Sequence, residues 1–437
     1  MSSRLYLVLF TMAVGILVGA ATVHFRLFPY QMLMSAKATV EDVMVNWEAF
    51  LGRAPVNQLI PGGYDGDGVT ILDAQRSAPG NTLMAGVKGN AVALWLVTPE
   101  GETLREWQPP TTEILTDAEH IDGVEKPFND FFVTLHGAAL LPDGGTLFTI
   151  SHYALVKMSA CGTNDWVVPT MAHHAVFASH DQTYWAVTRF HHDTDHPDHN
   201  RIRPQFWEDA VIQVDSNGTI LRTISILDVI EKNRLWGKLF GGQRPVPSIS
   251  GDITHLNDVE VLSPEMADAY PDFDAGDVMV SLRNPNMVIV FDPETLDAKW
   301  SKVGPWIRQH DPDFGADGWI AVLDNRNDGA DGTRFGGSRV VLIRPKGPFG
   351  GEWRVAYENS ASTPFFTAKR GVLDLPGNGN ILVTESEAGR VFEFDRSGDI
   401  VWEYINRYDA ENLTSVMHAE RYPPDFAVNA YSNCDQF

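Results

Sequence analysis

The sequence predicts an all-β chain folded as a six-bladed β-propeller, preceded by an N-terminal transmembrane helix. Three observations predict it. From about Gly62 onward helical spacing gives way to short strand-like runs, with turns marked by Gly, Pro, Asn and Asp. Among those runs one phrase recurs: a polar residue, five or six residues, a Pro/Asp/Gly turn, then an apolar strand. It reads His136-Gly-Ala-Ala-Leu-Leu-Pro142-Asp143-Gly144 and again Arg370-Gly-Val-Leu-Asp-Leu-Pro376-Gly377-Asn378-Gly379, with weaker copies from His174 to Asp181 and from His310 to Asp317-Gly318. The outer strands also share an ending, Val290-Phe-Asp292 with Trp300 in one copy and Phe394-Asp395 with Gly398 and Trp402 in another. Such repetition defines four-stranded meanders of about 40 to 50 residues, which cannot cover their own two faces and pack radially instead.

The elements follow in chain order. Residues 5–23 contain no charged residue and are flanked by Arg4 and Arg26, which predicts a transmembrane anchor over 1–28. Gly19-Ala20-Ala21 offers the alternative of a cleaved signal peptide. The run is long for a signal core, and apolar residues continue through Phe28-Pro29-Tyr30, so the uncleaved anchor is preferred. Residues 29–61 form a helical linker, with Met32, Val40, Val43, Met44 and Trp47 at helical spacing. That helix leads from the membrane to the domain or, as a sharper alternative, lies at an interface.

The propeller is expected over 62–410. Its first unit takes strands at 69–72, 81–84, 91–97 and 102–107; the second runs over 132–168 and the third over 171–226. A polar insertion at 191–204 stretches the third, and a helical crossover at 227–239 follows. The fourth unit spans 255–300, the fifth 309–357, the sixth 367–404, and 411–437 is a C-terminal tail. Trp107, Trp300 and Trp402 are read as blade packing.

Composition agrees with a large core: of 437 residues, 44% are hydrophobic and 21% charged. The formal charge of -24, uninterrupted by any Lys/Arg cluster, excludes nucleic acid as a natural partner. Cys161 and Cys434 are too few for a zinc site; they form either one long-range disulfide in an oxidising compartment or two free thiols.

In a propeller the innermost strands surround a central channel, so equivalent positions of several blades meet near the axis. His136, His174, His310 and Arg370 hold such positions. Further phrases add to them: Thr254-His255-Leu256-Asn257, Ser281-Leu282-Arg283, Gln309-His310 leading to Leu323-Asp324-Asn325, and Leu375-Pro376-Gly377-Asn378-Gly379-Asn380. This order resembles the bacterial arylsulfotransferases, the aryl-sulfate sulfotransferases that do not use 3′-phosphoadenylyl sulfate, over roughly residues 62–410. The resemblance implies a periplasmic six-bladed propeller that moves a sulfuryl group from an aryl sulfate donor to a phenolic acceptor through a sulfated histidine. By the same resemblance His310 matches the nucleophile, His255 and Arg283 hold the sulfate, and Asn257 sits beside them. The remaining histidine falls on His173-His174. His174 is chosen because its spacing to Asp181 equals that of His136 to Asp143. His136, Arg370 and His173 remain substrate-contact candidates. The chain lacks the separate N-terminal β-domain of some family enzymes and is similar to a shorter, membrane-anchored branch.

The side chains support the same chemistry independently. A sulfate ester becomes electrophilic only when charge on its oxygens is stabilised; Arg283 offers a planar cationic fork, and a neutral imidazole is a competent nucleophile. Neither a metal nor a nucleotide cofactor is needed. The run from His191 to His199 is read as a solvated insertion rather than a metal site, because it lacks separated ligand spacing. Asp65-Gly-Asp67-Gly68 and residues 324–332 depart from calcium-loop spacing, leaving only a structural calcium as an alternative. The rival function is a non-catalytic, membrane-anchored propeller serving an envelope complex as scaffold.

Overall fold

In this computed structural model the chain is described over residues 3–24, 26, 30–116, 118–121, 126–197, 202–239, 249–330, 332–427, 430–431 and 434. It divides into two units, Met1–Asn57 and Gln58–Phe437. The first carries helices Ser3–His24, Tyr30–Val45 and Trp47–Phe50, so the linker is helical where periodicity placed a helix. The transmembrane anchor expected over 1–28 is corrected: among the described residues no helix is long and apolar enough to cross a membrane. The side chains of residues 3–5, 7 and 8 lie outside the described ones.

The second unit is a propeller of six sheets, each built on a four-stranded antiparallel meander; Ile249–Asp252 adds a parallel strand to the blade 3 sheet, and Leu59–Pro61 pairs with Asn412–Thr414 as a separate two-stranded sheet. Blade 2 comprises Leu135–Leu140, Thr146–Ile150, Ala154–Met158 and Asn164–Pro169, from axis to rim. Blades 3, 4, 5 and 6 begin at the axis with Val176–Ala178, Leu256–Val261, His310–Phe314 and Val372–Asp374. Strands such as Met287–Phe291 are buried at every position, because both faces of each blade are covered by neighbours. The core therefore lies between blades: Trp185, Leu256 and Ile289 pack together between blades 3 and 4, and Trp300, Phe314 and Val341 between blades 4 and 5.

The ring closes differently from the sequence expectation. The innermost strand of blade 1 is Val416–Tyr422, which pairs antiparallel with Asn81–Lys88. The propeller thus runs past residue 410 into the segment read as a tail. Gly68–Leu72, expected as the first strand of blade 1, instead pairs with Ile400–Ile405 as a fifth strand on the rim of blade 6. Both departures have one cause. A ring needs a non-covalent seam, and a ladder between strands from the two ends of the chain provides it.

The rim tryptophans pack as expected and also bridge blades. Trp107, Trp300 and Trp402, all buried, donate their indole N–H to the carbonyls of Ala160, Gly350 and Pro99 at 3.2, 2.8 and 2.8 Å, each on the next blade. Cys161 and Cys434 form a disulfide that ties a rim turn of blade 2 to the chain's C-terminal segment. The insertion at 191–204 is not a loop throughout: Tyr184–His192 and Ile202–Val214 pair from Tyr184–Val214 out to His192–Phe206, a long hairpin. Residues 198–201 of it, with His199, lie outside the described ones. Helices Ile226–Lys232 and Trp236–Leu239 occupy the expected crossover.

Candidate active site

At one mouth of the axial channel a cavity of about 400 Å³ is lined by His136, His174, His255 and His310 together with Arg283, Arg370, Lys369 and His152. Six of the eight sequence-predicted residues are therefore neighbours in space. His136, His174, His255, His310 and Arg370 reach the mouth from the start of an innermost strand or the turn beside it, and Arg283 from just past the end of the second strand of blade 4, Val278–Leu282. His174, His255 and Arg370 sit there with φ of 53°, 50° and 62°. Non-glycine residues in this region each cost about 1–3 kcal/mol, which the surrounding blades must offset. Gly137 is obligatory for the approach of blades 2 and 3: a Cβ there would lie 2.2 Å from the His174 carbonyl oxygen. With no Cβ in the way, the His136 and His174 rings lie 4.2 Å apart. His174 is the hub, with ring centroids 5.3 Å from His255 and 6.2 Å from His310.

His310 has the most defined environment. Its Nδ1 lies 2.7 Å from Asn325 Oδ1. The Asn325 amide nitrogen donates to the carbonyls of Thr367 and Arg370 at 2.9 and 2.8 Å, which fixes Oδ1 as the acceptor. Nδ1 therefore carries the proton and Nε2 holds the lone pair, an assignment that follows from the network. The backbone N–H of Arg370 points at that lone pair from 3.2 Å. Burial, together with the nearby Arg283 charge and against the pull of Asn325, brings the His310 pKa down to about 3, so the ring is neutral at physiological pH.

The other imidazoles divide by their partners. Burial and the mutual repulsion of the cluster hold His136 and His174 well below the ordinary histidine range, and His152 down to about 4. The Nδ1 of His255 is hydrogen-bonded to the Asp252 carboxylate. Burial opposes ionisation of Asp252, but the His255 hydrogen bond and the charges of His255, Arg189 and Arg283 outweigh it and hold the carboxyl below its usual range. The Arg283 backbone N–H binds the His255 carbonyl at 3.1 Å, while its side-chain Nε is buried and has no acceptor. Burial and Arg308 lower its pKa, and it remains cationic.

Two predicted residues stand apart from the mouth. His173 is 2% exposed and lies behind the wall, its Nδ1 2.7 Å from His174 Nδ1 and its Nε2 3.8 Å from Asp209. Asn257 sits one layer deeper and donates to the Gln309 carbonyl at 2.8 Å, which holds the backbone just before His310.

That deeper layer is a second cavity of about 230 Å³, reached past His136, His174 and His310, which line both spaces. Its walls carry Asp258, Glu260, Asp311, Asp313, Asp374 and Glu420, with His418. Three of these carboxylates stitch blades together: Glu260 accepts from Phe314 N–H at 2.8 Å, Asp311 from Leu373 N–H at 2.6 Å and Asp374 from Arg421 N–H at 2.8 Å. Burial and mutual repulsion raise Asp258, Glu260 and Asp313 well above the carboxylate range, and burial in the main raises Asp311 to about 7 and Asp374 to about 8. Sequence reasoning missed this layer, as it missed Asn325, Asp252 and His152. A signal was there: Asp258/Glu260, Asp311/Asp313 and His418/Glu420 are each spaced i, i+2, which puts both members on one edge of an innermost strand. Among the described residues no group of three or more His, Cys, Asp or Glu side chains is arranged to hold a metal ion.

Comparison with known proteins completes the description. Residues 148–407 match the family model of the arylsulfotransferases (ASST). No curated protein matches the sequence. Among solved structures, a Bacteroides caccae protein of unknown function is 13% identical with a TM-score of 0.45, over 78% of this chain and 98% of the other. A streptogramin B lyase is 11% identical with a TM-score of 0.43, over 80% and 87%. The Kuenenia stuttgartiensis hydrazine synthase is 11% identical with a TM-score of 0.40, over 70% and 71%. Likenesses this low carry no argument about the site.

Proposed function

Because this chain belongs to the arylsulfotransferase family, we propose that it transfers a sulfuryl group from an aryl sulfate ester to a phenol by a two-step route through sulfated His310. The single observation that carries the reading is the His310 network: a neutral, buried imidazole with Nδ1–H held by Asn325 and its Nε2 lone pair at the cavity wall, approached there by the Arg370 backbone N–H at 3.2 Å.

In the first half-reaction Nε2 of His310 attacks sulfur. The N–S bond forms, the S–O bond to the aryl group breaks, and the electron pair leaves on the phenolic oxygen. Protonated His255, held through Nδ1 by Asp252, gives that oxygen its proton. Arg283 and Arg370 neutralise the sulfuryl oxygens; the partnerless Nε of Arg283 is one donor suited to them. The sulfated ring is positively charged at the moment of transfer, and Asn325 Oδ1 accepts its Nδ1–H throughout. In the second half-reaction neutral His255 takes the proton of the acceptor phenol as its oxygen attacks sulfur, and His310 leaves neutral. His136 and His174 form the wall against which an aryl ring packs.

The Cys161–Cys434 disulfide supports an oxidising compartment, the periplasm by the family's habit, as the working location. The function is tested by incubating the protein with 4-nitrophenyl sulfate and phenol. Acceptor-dependent release of 4-nitrophenol is expected. A protein that releases none, while remaining folded, is the scaffold of the rival reading.

A further inference from the structure

Along the axis the channel changes sign. Among the described residues the mouth is lined by Arg283, Lys369 and Arg370 and by no carboxylate, whereas the chamber beneath is lined by six carboxylates and by no lysine or arginine. Blade stitching accounts for one oxygen each of Glu260, Asp311 and Asp374. It does not account for Asp258 or Asp313. Among the described residues Asp258 Oδ2 is buried without a donor, and so is Asn257 Oδ1 on the adjacent residue; each residue is 4% exposed. Two orphan acceptors in one chamber wall cost free energy unless a donor enters. A directly coordinated metal ion does not fit, since no three of these groups converge as ligands among the described residues. A group with several N–H donors and a positive charge does fit, because it satisfies acceptors spread around it.

We propose that the chamber is an ammonium pocket, and that the phenolic acceptor of this chain carries a protonated amine tail docked among Asp258, Asp313 and their neighbours. This rests on the sulfuryl-transfer reading only in placing the phenol oxygen at His310; binding itself needs no transfer. The bipolar channel then selects a zwitterionic product, with sulfate at the mouth and ammonium in the chamber. The room is adequate: about 230 Å³ is several times the roughly 30 Å³ of a water molecule.

The test is calorimetric binding to the full chain, without donor, of three phenols that differ in the tail: tyramine, 4-ethylphenol and 3-(4-hydroxyphenyl)propionate. Tyramine binds about tenfold or more tighter than 4-ethylphenol, and the anionic phenol binds weakest. The double variant Asp258→Asn/Asp313→Asn reduces the tyramine preference to about twofold or less, with 4-ethylphenol affinity and the melting curve reporting that the fold is kept. Equal binding of tyramine and 4-ethylphenol by the natural chain overturns the proposal, whether or not the variant folds. So does a folded double variant that keeps the preference. No preference in the natural chain, with intact transfer to phenol, sinks the pocket alone, and a clear preference in a natural chain that transfers nothing sinks the transferase reading alone.

Discussion

The mouth and the chamber are walled by the same innermost strands, yet they hold opposite chemistry. In the mouth, imidazoles and guanidinium groups stand where each strand begins, some on left-handed backbone. In the chamber, carboxylates stand along the strands themselves, on backbone interrupted by register shifts and, at Asp311, turned left-handed with φ 49°. The difference is one of place: the mouth draws on strand starts and the turns beside them, whereas the chamber draws its carboxylates from the innermost strands of blades 4, 5, 6 and 1 and none from blades 2 and 3. Asn325 shows how the two regimes meet: it lies just past the second strand of blade 5 and reaches back to orient His310 on the first.

The predictions that sharpen this contrast run from the mouth inward. His310→Ala is expected to lower transfer from 4-nitrophenyl sulfate by about a thousandfold or more with the melting curve unchanged; undiminished turnover refutes the nucleophile. Arg283→Lys keeps the charge and loses the fork, and should cost about a hundredfold in kcat/KM. Asn325→Ala frees the His310 ring and its tautomer while leaving the mouth's charges in place. A drop of about ten- to a hundredfold in kcat with little change in KM would identify a positioning residue, and a pure KM effect would contradict that.

The chamber predicts a smaller, pH-dependent effect on stability. Asp311 and Asp374, raised to about 7 and 8, stay protonated in the folded chain at pH values where the unfolded chain has already released its protons. Their stabilisation is therefore present below pH ~4 and lost as pH rises through 7 and 8. The buried histidines act in the opposite sense: His310 and His152, lowered to about 3 and 4, cost stability only as pH falls below ~6.5. Between pH ~7 and 8 the histidines of the unfolded chain are mostly neutral and the carboxylate effect dominates, so Tm should fall over that window. Asp313→Asn, which removes one repelling neighbour, should flatten the fall; a Tm that rises over the same window would contradict the account of the chamber.

Much of this molecule was legible in the sequence because propeller blades repeat. Strand alternation, the Pro/Asp/Gly turns and the rim tryptophans are local signals, and they located blades 2 to 6 and gathered His136, His174, His310 and Arg370 at one mouth, while the family resemblance added His255 and Arg283. What the sequence hid was long-range. The seam pairs Val416–Tyr422 with Asn81–Lys88, a match between opposite ends of the chain that no local pattern specifies. Asp252 and Asn325 act through single hydrogen bonds across turns and blades, and a lone Asp or Asn in a turn reads first as turn chemistry. The chamber was hidden for another reason. Its i, i+2 carboxylates look like the solvent face of a strand until the ring turns that face onto the axis.

The most direct test of the central claim is peptide mass spectrometry after brief exposure to 4-nitrophenyl sulfate with no acceptor. The account predicts one sulfuryl group on the peptide carrying His310, removed when phenol is added and absent from Arg283→Ala. Steady release of 4-nitrophenol to phenol with His310 never modified would contradict it.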